Sequence, residues 1–268
     1  MAHIFMYVSV LAVSKAGAQE RHRNEVIVKL KSSISGQSFA QKLNGKPANS
    51  STGTSFGKYK LKNSLTKLKM HKFEVAPGES VDDAVAELNA DPDVEYAEPN
   101  YTLEKFEVEK SQTLSRDDLE GLVAAQGGTS PMSVTLSNIQ TTEAWTAVTA
   151  SSEKPVVAII DSGTDLSHHA LVDALWVNED EIANNGVDDD RNGYVDDVNG
   201  WNFVNQSNNP YDGDGHGTHV AGIVRGVSQD LFAIPMGQPK IRIMTLKFLD
   251  DTGIGSTADA VAAIYYAV

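Results

Sequence analysis

Two segments of this chain carry side chains that could perform acid–base chemistry. The apolar run Val156–Ile160 predicts a strand, and Asp161 follows it directly, so a carboxylate would stand at the carboxyl end of that strand. The segment Gly215–Gly222 places His216 at the start of a predicted helix. A buried carboxylate beside an imidazole holds one ring tautomer and stabilises the imidazolium that forms on proton uptake. We therefore expect Asp161 to orient the ring and His216 to act as the general base for a nucleophile.

The letters around His216 also carry a resemblance. The segment Gly-His-Gly-Thr-His-Val-Ala-Gly at 215–222 resembles the histidine motif of subtilases, and an aspartate ahead of the histidine agrees with the Asp, His, Ser order of that family. The resemblance implies a serine endopeptidase acting on proteins or peptides, and it gives His219 a structural position. No turn after His216 looks like a nucleophile turn. We expect the chain to stop before that serine and this fragment alone to be inactive.

Apolar strands alternate with helices over the predicted catalytic segment, residues 136–268. Ile241–Leu249 reads as a second long strand, and Thr257–Val268 reads as a helix. The apolar face of that helix would comprise Ala260, Val261, Ile264 and Tyr265. This pattern indicates an α/β fold, the N-terminal part of a doubly wound parallel sheet buried on both faces. Such a partial sheet would end at an unpaired apolar edge, which favours aggregation.

Residues 24–104 read as a small α+β unit. Glu25–Leu30 predicts a strand, and Ser80 can cap a helix whose apolar positions 81, 84, 85 and 88 share one face. A second strand at Val94–Ala97 would be followed by Glu98-Pro99-Asn100 as the end of the unit. The segment 90–100 resembles the end of the subtilase propeptide domain, which implies a ferredoxin-like fold. It also implies an intramolecular inhibitor and chaperone whose tail lies in the active-site cleft. An unrelated small domain is the alternative.

The ends of this unit carry processing signals. Ile4–Val13 is a short apolar block followed by Ala16-Gly17-Ala18, the pattern of a secretory signal peptide over residues 1–18. We therefore expect secretion, although no basic residue precedes the block; a chance apolar N-terminus and a mis-assigned start codon are the alternatives. Residues 105–135 are polar and aperiodic, and we interpret them as a linker containing the processing region. Gly128-Thr129-Ser130 superficially resembles the nucleophile tripeptide of subtilases. We do not expect Ser130 to be the nucleophile, because the tripeptide precedes Asp161 and Pro131 removes a backbone N–H donor from the turn.

Charge and composition exclude several partners. The net charge is −14, with 12 basic against 3 acidic residues over 20–75 and 6 against 19 over 138–268. Residues 76–137 are also acidic, with 14 acidic against 3 basic residues. The two acidic segments would repel phosphate, so we expect no nucleic-acid partner, and the basic lobe is better suited to docking on the acidic one. No run reaches the roughly 18 apolar residues of a membrane span, so we expect no membrane partner. Cysteine is absent, which excludes disulfides and a thiol nucleophile.

An acidic segment between the two motifs predicts a metal site. Oxygen-bearing residues alternate here, with a glycine to turn the loop, and the predicted ligands are Asp188, Asp190, Asn192, Tyr194 and Asp196. This spacing follows that of a calcium-binding EF-hand loop, although Asn199 stands where that loop has a bidentate glutamate. The segment also resembles a calcium-binding insertion of some subtilases. We expect Ca²⁺ as the cofactor, and a solvated acidic loop is the alternative.

A second loop resembles a substrate-binding edge. Asp250–Ser256 resembles the subtilase loop that lines the S4 and S2 subsites, which implies that Gly253, Ile254 and Gly255 pair with substrate backbone. Asp214 is interpreted as a substrate-edge residue rather than a metal ligand. A plain surface loop is the alternative for 250–256. Surface positions are the simplest interpretation of Asp165, His168 and His169.

Two other classes of protein remain open. The chain could be a non-catalytic module, in which a propeptide-like unit binds or inhibits and the rest is a pseudo-protease. A calcium-dependent adhesion module is a third reading. A coding sequence that continues past codon 268 into a Gly-Thr-Ser turn would favour the enzyme, whereas a stop codon would favour the pseudo-protease.

Overall fold

A computed structural model describes residues 4–8, 21–31, 34–44, 58–105, 154–228 and 241–268. The described residues divide into two compact units. The first comprises 4–8, 105, 154–228, 241–253 and 267–268, and the second comprises 21–31, 34–44, 58–104 and 254–266.

The regular elements of these ranges are numbered in chain order. They are β1 (Ile4–Val8), β2 (Arg21–Leu30), α1 (Gly36–Leu43), β3 (Tyr59–Leu65), β4 (Met70–Val75), α2 (Val81–Ala90), β5 (Val94–Glu104), β6 (Val156–Asp161), β7 (Gly200–Asn202), α3 (His216–Ser228), β8 (Arg242–Lys247), β9 (Ile254–Ser256) and α4 (Thr257–Tyr266).

The first unit contains a parallel sheet of four strands in the order β1-β6-β8-β7. The strands β6 and β8 lie at its centre, and their apolar residues are nearly all buried, as expected for a parallel sheet covered on both faces. The helix α3 packs its Val220 and Ala221 into a core with Ile159 and Ile243. The predicted α/β fold is therefore confirmed. The second predicted strand is shorter than expected, since it ends at Lys247 rather than at Leu249.

The N-terminal apolar block contributes one strand of this sheet. Ile4–Val8 pairs with β6 in parallel, from Ile4 opposite Val156 to Val8 opposite Ile160. The strand β6 therefore has a partner on both sides, and β1 and β7 are the edge strands of the sheet in the described residues. An open edge offers unpaired N–H and C=O groups, and an apolar extended segment can satisfy them. The signal peptide over 1–18 stays a prediction.

The second unit is built as β2-α1-β3-β4-α2-β5. Its strands pair antiparallel in the order β3-β4-β2-β5, with β9 added beside β5. A βαββαβ chain with the first and third strands in the middle is the ferredoxin-like arrangement, so that expectation is confirmed. Its core is apolar and closed, with Val26, Val28, Phe39, Phe73 and Leu88 fully buried.

The helix α2 begins where the sequence predicts. The Ser80 hydroxyl accepts the backbone N–H of Asp83 at 3.3 Å, which satisfies one of the free donors at the helix start. Ala84 and Leu88 are buried, and Val81 and Val85 pack against the same core. The predicted apolar face of this helix is therefore confirmed.

The last strand of the second unit is longer than predicted. Pro99 does not end β5, which continues to Glu104. Up to Tyr101 the strand pairs with β2, and from Thr102 to Glu104 it pairs with β9. Proline lacks an N–H and is tolerated where one side of a strand has no partner, and β9 begins to pair only after Pro99.

The helix α4 is anchored to the ferredoxin-like sheet of the same unit. The Asn100 side chain accepts the Ala258 N–H at 3.0 Å, and the Thr257 hydroxyl donates to the Tyr101 carbonyl at 3.3 Å. Lys72 forms an ion pair with Asp259 at 3.3 Å. The strand β5 thus supplies hydrogen-bond acceptors to the first turn of this helix, where backbone donors have no intrahelical partner.

The buried face of α4 differs from the predicted one. Ala260 is buried as expected, but Ala262 and Ala263 are buried too, while Val261, Ile264 and Tyr265 are only partly buried. Alanines permit a close approach of the helix axis to its neighbours, and apolar periodicity alone does not weigh side-chain size. The wrong assignment of this face follows from that omission.

Two further observations concern extended stretches of the chain. None of the helices in the described ranges has the length and hydropathy needed to cross a bilayer. The predicted linker 105–135, apart from Lys105, and the Gly128-Thr129-Ser130 segment lie outside the described residues.

Candidate active site

The strand β6 carries Asp161 to the carboxyl end of the parallel sheet. Asp161 lies opposite Lys247 in the register between β6 and β8. Its side chain is completely buried. One of its oxygens accepts the backbone N–H of Ser162 at 2.6 Å. A buried carboxylate at this place faces the edge of the sheet where α/β proteins bind ligands.

The helix α3 presents His216 as its first residue. Gly215 precedes it with a φ of +96° and has no side chain to cap the helix. The free donors of the first turn are satisfied from elsewhere: the Ser162 hydroxyl accepts the Gly217 N–H at 2.9 Å, and Asp212 accepts the Thr218 N–H at 2.8 Å. The residue after Asp161 therefore ties the end of β6 to the start of α3.

Asp212 is the hub of this helix start. Its carboxylate accepts hydrogen bonds from the hydroxyls of Ser162 and Thr218 at 2.9 and 2.6 Å, and from the N–H of Gly215 at 2.8 Å. Burial alone would raise the pKa of this carboxyl, but the hydrogen bonds outweigh burial and hold its pKa below the ordinary value. The charged form is thereby favoured, and a negative charge beside a helix N-terminus is stabilised by the helix dipole.

Two glycines permit the close approach of the strand end and the helix start. A Cβ on Gly217 would lie 2.1 Å from the carbonyl oxygen of Gly163. Gly163 has a φ of +112°, and a Cβ there would lie 2.4 Å from the carbonyl oxygen of Pro210. These neighbours are backbone atoms, so they cannot move aside as a flexible side chain would. The glycine spacing of the histidine segment is a packing requirement at Gly217.

These elements bring the two predicted catalytic side chains together. Nδ1 of His216 lies 2.8 Å from Oδ1 and 3.0 Å from Oδ2 of Asp161. The ring is partly accessible, with 27 % of the side chain exposed, whereas Asp161 is 0 % exposed. A carboxylate beside Nδ1 accepts a hydrogen bond from the N–H of that nitrogen, which leaves Nε2 as the basic atom. The pair can thus act as an oriented general base.

Asp214 lies next to this pair. Its Oδ1 accepts the backbone N–H of His216 at 3.2 Å, and its Oδ2 accepts from Nζ of Lys105 at 2.5 Å. The backbone N–H of Lys105 donates to the Gly253 carbonyl at 2.9 Å. The two predicted substrate-edge residues Asp214 and Gly253 therefore both contact Lys105.

The other two predicted substrate-edge residues belong to the second unit. Ile254 and Gly255 are in β9, where they pair antiparallel with Glu104 and Leu103. The end of β5 thus pairs with the loop for which peptide pairing was predicted.

Sequence reasoning missed a buried lysine. Lys247 is 4 % exposed. Its Nζ donates to the Ser162 carbonyl at 2.6 Å and pairs with Asp251 at 2.9 Å. A single lysine within an apolar strand, opposite the aspartate in register, is the signal that could have found it. It ties the turn after Asp161 to the end of β8.

Part of the predicted metal segment forms a compact carboxylate cluster. Ligand atoms of Glu181, Asp188 and Asp190 all lie within 4.8 Å of one another. Glu181 is buried, and it accepts the backbone N–H groups of Asp189 at 2.8 Å and of Asp196 at 3.0 Å. Glu181 was not predicted, because it lies outside the alternating acidic run. These oxygens suit a hard cation such as calcium.

The remaining predicted ligands have other partners. The Asp196 carboxylate accepts the N–H groups of Asn185 and Gly186, both at 3.0 Å. The Asn192 amide donates to Asp190 at 3.0 Å. The Tyr194 ring packs edge-on against Trp201 with centroids 5.1 Å apart. The carboxylate cluster therefore contains two of the three predicted carboxylates plus Glu181.

Four further residues were predicted to have no catalytic role. His219 is exposed on α3. His168 and His169 stack on each other with ring centroids 4.8 Å apart. Asp165 accepts the Ser167 hydroxyl at 2.7 Å in a local turn.

Comparison with known proteins agrees with both halves of this description. Residues 152–268 match the Subtilase family, and residues 9–100 match the Fervidolysin N-terminal prodomain. The chain is 32 % identical over 196 residues to the Thermophilic serine proteinase of Bacillus sp. (strain AK1), covering 73 % of this chain and 39 % of that protein.

Two further relatives match shorter stretches. Subtilisin-like protease 1 of Plasmodium berghei (strain Anka) is 34 % identical over 121 residues, 45 % of this chain and 20 % of that protein. Thermitase of Thermoactinomyces vulgaris is 30 % identical over 129 residues, 48 % of this chain and 38 % of that protein. The chain thus spans less than two fifths of the length of each of these three relatives. Residues 152–268 are thus similar to the subtilase family, and residues 9–100 ahead of them are similar to a prodomain of the fervidolysin N-terminal type.

Proposed function

We propose that this chain is the N-terminal part of a secreted serine endopeptidase precursor that hydrolyses peptide bonds in proteins or peptides. The contact between Nδ1 of His216 and the fully buried Asp161 carboxylate carries the proposal. In this role Asp161 holds the ring tautomer, and Nε2 of His216 takes the proton of a serine hydroxyl and returns it to the leaving amine. The serine is expected beyond residue 268.

The prodomain fits the role of an intramolecular inhibitor. The hydrogen bond of the Lys105 N–H to the Gly253 carbonyl places the residue that follows the prodomain at the predicted substrate edge. A segment bound like a substrate excludes other peptides until it is cut and leaves. The bound chain therefore acts as the inhibitor before processing.

The protein encoded by the complete reading frame tests this function. We expect it to release its prodomain and to cleave casein. The variant His216→Ala should lower the peptidase rate by about 10⁴-fold or more, because loss of one triad residue removes most of the rate. His219→Ala is the matched control, since it removes an exposed histidine from the same helix. An active His216→Ala protein, or a wild-type protein that never cleaves, would refute the proposal and favour a non-catalytic binding module.

We further propose that Glu181, Asp188 and Asp190 hold Ca²⁺. Three carboxylates within 4.8 Å repel one another unless a cation balances them, and oxygen ligands are those that calcium prefers. A bound ion would supply electrostatic cross-linking to a loop in a chain that has no cysteine.

Calcium titration with two matched variants tests the ion. We expect Ca²⁺ to raise the melting temperature and a chelator to lower it, with about 2.7 kcal/mol of stabilisation at a hundredfold excess over Kd. Glu181→Gln should abolish most of this shift. Glu179→Gln should keep it, since this exposed neighbour loses the same charge outside the cluster. Equal shifts in both variants would contradict the site.

A further inference from the structure

Lys105 contacts Asp214, whose carboxylate accepts the backbone N–H of His216. It is the first residue after β5, and both its backbone and its side chain have partners there. The N–H donates to the Gly253 carbonyl at 2.9 Å, and Nζ donates to Oδ2 of Asp214 at 2.5 Å. Two separate contacts therefore define where this one residue lies.

The ion pair is largely withdrawn from water. The side chain of Lys105 is 17 % exposed and that of Asp214 is 8 % exposed. A charge pair at this depth is weakly screened, and removal of one partner leaves the other desolvated and unpaired. The carboxylate of Asp214 is therefore selective for the charge of whatever side chain lies against it.

Gly253 provides the room for the aliphatic stem of the lysine. A Cβ on Gly253 would lie 2.6 to 2.7 Å from Cγ, Cδ and Cε of Lys105. The lysine methylenes thus pass over a position that has no side chain. A long side chain with a terminal cation fits this arrangement, because the stem packs on the backbone and the charge reaches Asp214.

Asp214 is coupled to the proposed general base through the backbone. Its Oδ1 accepts the N–H of His216, two residues further along the chain, while its own N–H donates to Asp212 at 3.1 Å. The carboxylate is thus held in place without the lysine. A cation bound there lies beside the histidine rather than at a distant surface.

We infer that Asp214 and Gly253 form a subsite for a lysine or arginine side chain just upstream of the peptide bond that is cleaved. Lys105 is its intramolecular occupant before processing. The inference rests on the proposed peptidase function and names its substrate class, peptides with a basic residue at that position. Asp214 is a specificity-determining residue, and it contributes through charge.

Cleavage of matched peptides by the protein from the complete reading frame tests this subsite. The peptides follow the sequence around Lys105 and differ only there, with Lys, Arg, norleucine, Gln or Glu. We expect kcat/KM to be about 10- to 100-fold higher for Lys and Arg than for Gln, and lowest for Glu. Norleucine keeps the stem without the charge and should fall near Gln.

Enzyme variants separate this subsite from a general field effect. Asp214→Asn keeps an oxygen for the His216 N–H but removes the charge, so the Lys-to-Gln ratio should fall below about threefold, whereas Asp214→Lys should favour Glu. Glu179→Gln, which removes an exposed charge elsewhere, should keep the wild-type ratio. A wild-type ratio near one, or an unchanged ratio in Asp214→Asn, would overturn the inference.

A measurement on the precursor distinguishes failure of the subsite from failure of the proposed function. Amide hydrogen exchange at Lys105 should speed up in Lys105→Glu, stay slow in Lys105→Arg, and slow again when Lys105→Glu is combined with Asp214→Lys. Absence of all peptidase activity with this exchange pattern would refute the proposed function but not cation binding at Asp214. An exchange rate at position 105 that is the same in all three variants as in wild type would overturn the subsite itself.

Discussion

The pair at Asp161 and His216 and the acidic loop around Asp188 were both predicted from residue types and spacing, but the structure treats them differently. The pair lies as predicted, with Nδ1 of His216 2.8 Å from Asp161. In the loop, two of the three predicted carboxylates join a cluster, and the cluster includes Glu181 from outside the pattern. The pair is positioned by regular elements, whereas the cluster is positioned by turns.

Regular elements determine where a side chain starts and which way it points. The end of a parallel strand and the start of the helix that packs on it lie at the same edge of the sheet, whatever separates them in sequence. In the irregular loop, the backbone takes left-handed conformations at Arg191 and Asp196, with φ of 60° and 56°. Each such residue redirects the chain, so the alternation of residue types no longer gives alternation in space.

The largest expected effect is at Asp161. Asp161→Asn in the protein from the complete reading frame should lower kcat/KM by about 10⁴-fold, because the amide can donate to Nδ1 and stabilise the wrong tautomer. Peptidase kinetics measure it, with circular dichroism to show that the fold is kept. Asp165→Asn serves as the control, since Asp165 accepts hydrogen bonds from a local turn. Similar losses in both would show that the pair has no special role.

The next largest effect, on Ca²⁺ affinity, distinguishes the ligands predicted from EF-hand spacing from the carboxylate cluster of the structure. Asp188→Asn should weaken Ca²⁺ binding about tenfold or more, because it removes one of three clustered carboxylates. Asp196→Asn should change the affinity less than about threefold, since its carboxylate accepts two backbone N–H groups instead. Isothermal titration calorimetry measures both. If Asp196→Asn weakened Ca²⁺ binding more than Asp188→Asn, the ligands predicted from EF-hand spacing would be favoured instead.

A smaller effect tests the packing of the catalytic pair. Gly217→Ala places a Cβ 2.1 Å from the Gly163 carbonyl oxygen, so unfolding should become about 1–3 kcal/mol easier. Gly222→Ala, in the same helix with nothing within 4 Å, should instead stabilise by about 0.5–1 kcal/mol. Denaturant unfolding compares the two. If both stabilise, the close approach at Gly217 is not a constraint.

The smallest expected effect concerns acid. The pKa of Asp212 lies below its ordinary value of 3.8, because hydrogen bonds from Thr218, Gly215 and Ser162 outweigh the effect of burial. Its contribution to folding is therefore complete above the unfolded value and is lost as the pH falls through the folded value. Unfolding between pH 5 and pH 2 should show a steeper loss in wild type than in Asp212→Asn. Parallel curves would contradict this role.

Much of the fold follows from local patterns. The cap at Ser80 and the apolar positions of α2 specify where that helix begins and which face it buries, and both agree with the structure. The extension of β5 beyond Pro99 could not be read locally, because it depends on β9, which lies about 150 residues further along the chain. The face of α4 failed for a related reason: its alanines are buried by neighbours that the helical period does not describe.

The candidate site divides in the same way. Asp161 and His216 can be predicted from their residue types and from their positions at the end of a strand and the start of a helix. Ser162, Asp212 and Lys247 cannot be predicted in this way. Ser162 and Asp212 connect the strand end to the helix start, and Lys247 connects the turn after Asp161 to β8, through hydrogen bonds of 2.6 to 2.9 Å. Serine, aspartate and lysine are common in loops and at surfaces, so only their burial reveals the connection.

The amino-acid sequence by itself determined the strand and helix periods, the chemistry at Asp161 and His216, and the acidic character of the loop, because each depends on residues close together in the chain. Only the tertiary structure decided that Glu181 joins Asp188 and Asp190, and that Lys105 lies against Asp214. Lys105 and Asp214 are 109 residues apart, and their contact exists only because the segments that carry them pack together. Charge pairing at that range is a property of the folded backbone rather than of any local pattern.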